Sequence, residues 1–319
     1  MSPPNIKLFD RLILTYIIYT YNKFSYTKMR RTRMKHLGEV FKKFRESRHL
    51  TQKAVGGKEI SVAQLSKFEN GSSDITLSKF YLLLERIGIT SQEFEYVAND
   101  YEFNHFYSLL DKIDEFYNNN NRYGLMKLLE EEDELMREGK QQKLNLLIIK
   151  SALRQIDKET EFTETEIEMV SDYLFSIEDW TYYELILYAN TMSNLPLELI
   201  NTLSKEALVR ASFYKSIKRN RDLITTVIIN TIIVFTNHKM LDRAIYFKNE
   251  LRRLLTDETE IFDKTLLLFV TGAIYFYKGK EESGKQKMRD AIDIFNKVES
   301  YHLAESYEES YYEIVGERC

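Results

Sequence analysis

The chain has 319 residues, 44% of them hydrophobic and 29% charged, with only three prolines and 11 glycines. That is enough apolar content for a small domain plus a larger one, and it excludes a Pro/Gly-rich or disordered polypeptide. The net charge of −4 hides an asymmetry: residues 1–75 carry 15 Lys or Arg against 6 Asp or Glu, and the rest carry 30 against 43, so nucleic-acid contact is confined to the N-terminal part.

Residues 1–33 supply +6 of the N-terminal excess. The apolar run from Leu12 to Tyr19 is too short to span a bilayer, and no small-residue cleavage site follows it, so neither membrane anchor nor signal peptide is expected. Met29 and Met34 stand just ahead of the first well-patterned domain, and a translation start later than Met1 is the expectation.

From residue 34 the pattern becomes helical. Leu37, Val40, Phe41 and Phe44 form one apolar stripe, and a second helix opens at Thr51-Gln52. After the turn from Gly56 to Ile60, Ser61 caps a third helix that stops at Asn70-Gly71. In this helix Leu65 and Phe68 share a buried face, while Ser61, Val62, Ala63, Gln64 and Lys67 are small or polar. A helix that reads the major groove needs that division, because only short or amide-bearing side chains fit against base edges. Gln64 offers a donor and an acceptor to adenine, Lys67 and Asn70 are placed for phosphates, and Gln52 sits where an amide meets a phosphate oxygen. Residues 77–87 give a fourth helix, stopped by Gly88, and Thr90 or Ser91 begins a fifth with Glu93 or Phe94 in its first turn.

Leu50-Thr51-Gln52, the run from Ser61 to Gly71 and the run from Ile89 to Phe94 resemble a repressor-type helix-turn-helix domain. With the long helical remainder, the chain resembles the Rgg/MutR/GadR regulators of Gram-positive bacteria. The turn at residues 56–60 reads one residue shorter than in generic repressor domains, as in that group. The resemblance implies a homodimeric transcription factor on double-stranded DNA, whose C-terminal repeats in some members bind a short hydrophobic signalling peptide. It also implies an internal ion pair between Arg45 and Glu69, a scaffold rather than a DNA contact.

The expected fold is therefore all-α: a five-helix DNA-binding domain over residues 34–98 and an α-solenoid of tetratricopeptide-like helix pairs over 102–319. Residues 97–101 form a short, stiff passage between them, without a Pro/Gly-rich linker. The expected pairs are 103–117 with 123–136, 144–156 with 164–176, 182–192 with 196–213, 223–237 with 241–255, and 264–278 with 282–298. The last resembles a tetratricopeptide repeat most closely. Tandem repeats of this kind make a concave surface suited to peptides.

Asn190, Asn230 and Arg154 interrupt apolar first helices of successive pairs. An interior Asn is poor for a helix, so a clamp on an extended peptide backbone is one reading, and a bond to a neighbouring helix end or a tight helix crossing is the other. Arg154 would hold a carboxylate. Of the 22 tyrosines most are packing, but Tyr182, Tyr183, Tyr188 and Tyr275 suit a groove for a hydrophobic peptide. The five histidines lack metal spacing, the acidic run at 130–134 has no His or Cys beside it, and no phosphate loop or nucleophile motif occurs, so neither enzyme, metal nor cofactor is expected. The lone Cys319 permits no intrachain disulfide, in keeping with a cytoplasmic location. Two other readings stand beside the peptide-tuned regulator: a helical-repeat adapter with a vestigial helix-turn-helix, and a regulator without a peptide ligand.

Overall fold

A computed structural model describes residues 37–98, 105–135, 139–157 and 159–319. The N-terminal segment and most of the passage at 97–101 lie outside these residues. Every regular element among the described residues is helical, and they fall into two compact units divided between Lys112 and Ile113.

The first unit holds α1 (Leu37–Ser47), α2 (Gln52–Gly56), α3 (Val62–Glu69), α4 (Leu77–Ile87) and α5 (Ser91–Ala98). Thr51 and Ser61 begin α2 and α3 by accepting hydrogen bonds from the backbone N–H of Ala54 and Gln64. Gly57 and Gly88 end α2 and α4 with positive φ, a conformation that costs other residues more. Val40, Phe41, Val55, Leu65, Phe68 and Leu83 form the centre of the core. α1 lies against α3 at backbone distance, since a Cβ on Gly38 would stand 1.8 Å from the Phe68 carbonyl oxygen. Leu37, expected on the buried stripe, is instead 41% exposed at the helix start.

Most of α6 (His105–Asn118) precedes the division between the units. The second unit continues with α7 (Arg122–Leu135), α8 (Lys140–Ile156), α9 (Glu164–Ser176), α10 (Tyr182–Thr191), α11 (Leu197–Arg210), α12 (Lys218–Asn237), α13 (Leu241–Leu254), α14 (Ile261–Tyr277), α15 (Glu281–Lys297) and α16 (Tyr301–Val315). The last two expected pairs are present as tight hairpins, α12 with α13 and α14 with α15. In the second of these a Cβ on Gly272 would meet the Gly284 carbonyl oxygen at 2.7 Å, so backbones touch and two glycines are required.

Earlier in the unit the pairing is different. α7 packs on α8 and also lies against α6, where a Cβ on Gly124 would stand 2.7 Å from the Phe116 ring, while α10 packs on α8 and α12 rather than chiefly on α11. A short 3-10 turn at Met192–Asn194 follows α10, and Pro196 caps α11, so this connection lacks the tight turn seen between α14 and α15. As a result α8, α10, α12 and α14 contact one another in series, with α12 enclosed along nearly its whole length.

Candidate functional site

The geometry of α3 is set from beneath by one buried charge network. Arg45 of α1 donates from Nε to Glu69 Oε1 at 2.6 Å and from Nη2 to Oε2 at 2.8 Å, a fork-to-carboxylate pair with both residues buried. The Glu69 hydrogen bond raises the Arg45 guanidinium above its ordinary value against the opposing effect of burial. Arg45 also donates to the Leu50 carbonyl at 2.6 Å, which ties the α1–α2 corner to the end of α3.

Gln52 differs from its expected placement. Its amide nitrogen donates to Glu69 Oε2 at 2.8 Å, so it completes the buried network instead of presenting that nitrogen to a phosphate. The reason is electrostatic: each oxygen of a buried carboxylate can accept more than one hydrogen bond, and Gln52 adds a third donor to the two from Arg45.

The other α3 residues divide as follows. Ser61, Val62, Ala63, Lys67 and Asn70 are exposed, and Gln64 is half-buried. Ser61 is spent partly on its cap, and Asn70 lies within 3.5 Å of the Ser66 hydroxyl. Gln64 Oε1 accepts a hydrogen bond from Lys79 Nζ of α4 at 2.9 Å. Arg86 of α4 donates to the carbonyls of Val55 and Gly56 at 2.9 and 2.7 Å and pairs with Glu59, pinning the turn between α2 and α3. Neither Lys79 nor Arg86 is legible as a partner from spacing, because the separations of 15 and about 30 residues acquire meaning only once the helices pack.

In the second unit the expected ligand residues are mostly turned inward. Tyr188 is fully buried and its hydroxyl donates to the Ile200 carbonyl at 2.9 Å, with Ser204 at 2.7 Å. The groove-lining expectation is therefore corrected: burial has made this tyrosine core and raised its hydroxyl pKa. Asn230 is likewise 0% exposed in the centre of α12 and offers a ligand no surface. Asn190, 5% exposed, donates to the Ile186 carbonyl of its own helix at 2.8 Å, a bond within the helix rather than to a neighbouring helix end.

Arg154 is half-buried and donates to the Ser193 carbonyl at 3.2 Å and to Asn194 Oδ1 at 2.6 Å. Through Nη1 it holds the 3-10 turn. Tyr275 is half-buried, with Lys280 and Lys287 ammonium groups 5.5 and 5.8 Å from its ring centre. Sequence reading missed Arg219, whose guanidinium lies 3.8 Å from the Tyr182 ring centre and is lowered to about 10 by burial. Among the described residues no cluster of metal-binding side chains occurs, and no helix is long and apolar enough to cross a membrane.

A capped helix pair, braced from below and presenting small and polar residues outward, defines the helix-turn-helix class of DNA-binding domain. Residues 41–94 match the family described as helix-turn-helix, and residues 126–309, more than half of the chain, match the C-terminal domain of the HTH-type transcriptional regulator Rgg. The chain belongs to the Rgg family of helix-turn-helix transcriptional regulators. The SHP pheromone receptor Rgg2 of Streptococcus dysgalactiae is 31% identical, with a TM-score of 0.77 over 88% of this chain and 100% of that one. Two more distant structures share the fold. PrgX in complex with cCF10 is 17% identical with a TM-score of 0.65, over 89% of this chain and 94% of that one. ComR from S. thermophilus, in complex with DNA and its signalling peptide ComS, is 13% identical with a TM-score of 0.58, over 87% and 99%. The family is described as one of transcriptional regulators, and its member Rgg2 as a pheromone receptor.

Proposed function

We propose that the chain acts in the cytoplasm as a homodimer that binds a promoter through α3 and changes its activity when a short hydrophobic peptide binds the repeat unit. The observation that carries the DNA half is the exposure of Val62, Ala63, Lys67 and Asn70 on a helix whose opposite face is fixed by Arg45 and Glu69. Residues 34–98 are the DNA-binding domain in this reading, and the unit that follows carries ligand and partner. Support for the peptide comes from the likeness to a pheromone receptor and from the stacked series α8, α10, α12 and α14, where Arg154 is the residue proposed to meet a peptide carboxylate.

The inward placement of Tyr188, Asn190 and Asn230 favours a second reading, a regulator of the same kind without a peptide ligand. Both are tested by selecting genomic DNA fragments with the purified full chain at physiological salt. Recovery of one or a few promoters is the expected result, and retention of random fragments alone contradicts DNA reading. Calorimetric titration with a short hydrophobic peptide encoded beside a recovered promoter then separates the two: saturable binding that is lost in Arg154→Ala supports the peptide receptor, and no heat of binding supports the ligand-free regulator.

A further inference from the structure

The Gln64–Lys79 contact alters what the reading helix can recognise. An ammonium has three donors and no acceptor, so the Gln64 atom facing Lys79 at 2.9 Å must be the amide oxygen. This fixes the orientation of an amide that would otherwise turn freely, and directs its NH2 group away from Lys79. A free glutamine matches adenine by donating to N7 and accepting from the N6 amino group. Here one of the two lone pairs of the acceptor is taken, and the ammonium beside it carries further N–H bonds and a positive charge, which disfavours the approach of the adenine N6 amino group. The Gln64 NH2 and the remaining Lys79 N–H bonds are donors from two helices, and a pair of donors is complementary to the two adjacent acceptors of guanine, N7 and O6.

We propose that Lys79 is a specificity-determining residue that converts Gln64 from an adenine reader into part of a guanine-reading donor pair. The inference rests on the reading of α3 as the base-contacting helix, and it goes beyond that reading by naming the base and the residue outside α3 that selects it. Two further features fit. Lys79 lies in the first turn of α4, where the helix dipole disfavours a cation, so its position is not explained by helix electrostatics. Val62 and Ala63, exposed and apolar, leave Gln64 with the richest hydrogen-bonding chemistry in the first turn of α3.

The test is selection from a randomised duplex pool by the full chain and by Gln64→Ala, Lys79→Met and Lys79→Arg, with sequencing of the bound DNA. Lys79→Leu repeats the test with another side chain that lacks a donor should the Met variant fail to fold. The wild type is expected to require guanine at one position of each half-site. Lys79→Met frees the amide oxygen and moves that position toward adenine, a swing in base ratio on the order of tenfold or more. Lys79→Arg keeps the donors and keeps guanine. If Lys79→Met retains the wild-type base profile while binding uniformly more weakly and losing about 0.9 from its salt slope, Lys79 contacts phosphate and the inference is overturned. If Gln64→Ala also leaves every position of the profile unchanged, the base-reading role of Gln64 itself fails, which is a separate result.

Discussion

At the scale of single residues, Glu69 shows why a charge inside a DNA-binding motif need not touch DNA. It is 1% exposed and accepts from Arg45 twice and from Gln52 once. Removing it leaves the Arg45 guanidinium buried with only the exposed Glu46, at 3.4 Å, as counter-charge, which costs up to about 3–5 kcal/mol. Glu69→Ala is therefore expected to lower the urea midpoint of the first unit steeply, as followed by circular dichroism, whereas a surface exchange such as Lys67→Ala leaves it within about 0.5 kcal/mol. Lys67 is instead expected to matter on DNA: its alanine variant weakens specific and random binding alike and flattens the plot of log affinity against log salt by about 0.9. An unchanged slope would mean that Lys67 meets no phosphate.

The same scale marks the limits of reading residues from sequence. Ser61, Leu65 and Phe68 were legible because a cap and a three-residue apolar spacing are local features. Gln52 was misplaced because its partner is 17 residues away. Asn190 and Tyr188 have side chains that suit either a ligand or the interior, and the choice is made by packing of α8, α11 and α12 around them.

At the scale of elements, the turn between α14 and α15 is the best-read part of the repeat unit. Gly272 and Gly284 permit backbone contact, and a methyl on Gly284 would lie 2.6 Å from the Phe276 amide nitrogen. Gly284→Ala is expected to destabilise the unit by about 1–3 kcal/mol through forced separation of the hairpin, measurable as a lowered thermal midpoint. The helix content of the earlier repeats was legible from apolar periodicity, but their pairing was not. Periodicity tells which face is buried and not against which neighbour, so α10 was paired with α11 and found chiefly on α8 and α12.

The start of α5 carries a pH dependence whose direction is fixed. Glu93 accepts from the Thr90 backbone N–H at 2.8 Å and from its hydroxyl at 2.7 Å, and Thr90 Oγ1 accepts from the Glu93 N–H at 3.2 Å. The backbone bond first, and then the hydroxyl bond, hold the Glu93 carboxyl below its ordinary value. A depressed carboxylate contributes stability that is present above its unfolded pKa of about 4.3 and is lost as pH falls through the folded value. Glu93→Gln is accordingly expected to shrink the difference in thermal midpoint between pH 6 and pH 3.5. An undiminished difference would assign the acid sensitivity to other carboxylates.

At the scale of the whole molecule, charge separates the two tasks. The first 75 residues carry a balance of +9 and the remaining 244 a balance of −13, so phosphate attracts one end of the chain and repels the other. This asymmetry, the helix-turn-helix spacing and the all-α class were legible in the sequence, because composition and local periodicity determine them. The burial of Tyr188, Asn190 and Asn230 was not, because packing between helices distant in sequence decides it. The central claim is that a dimer of this chain reads DNA through two copies of α3. A hydroxyl-radical footprint of the full chain on a recovered promoter tests it most directly. Two protected stretches are expected, with centres separated by one helical turn of about 34 Å or a whole multiple of it. A single protected stretch, or uniform weak protection along the fragment, would contradict a two-fold reader of specific sequence.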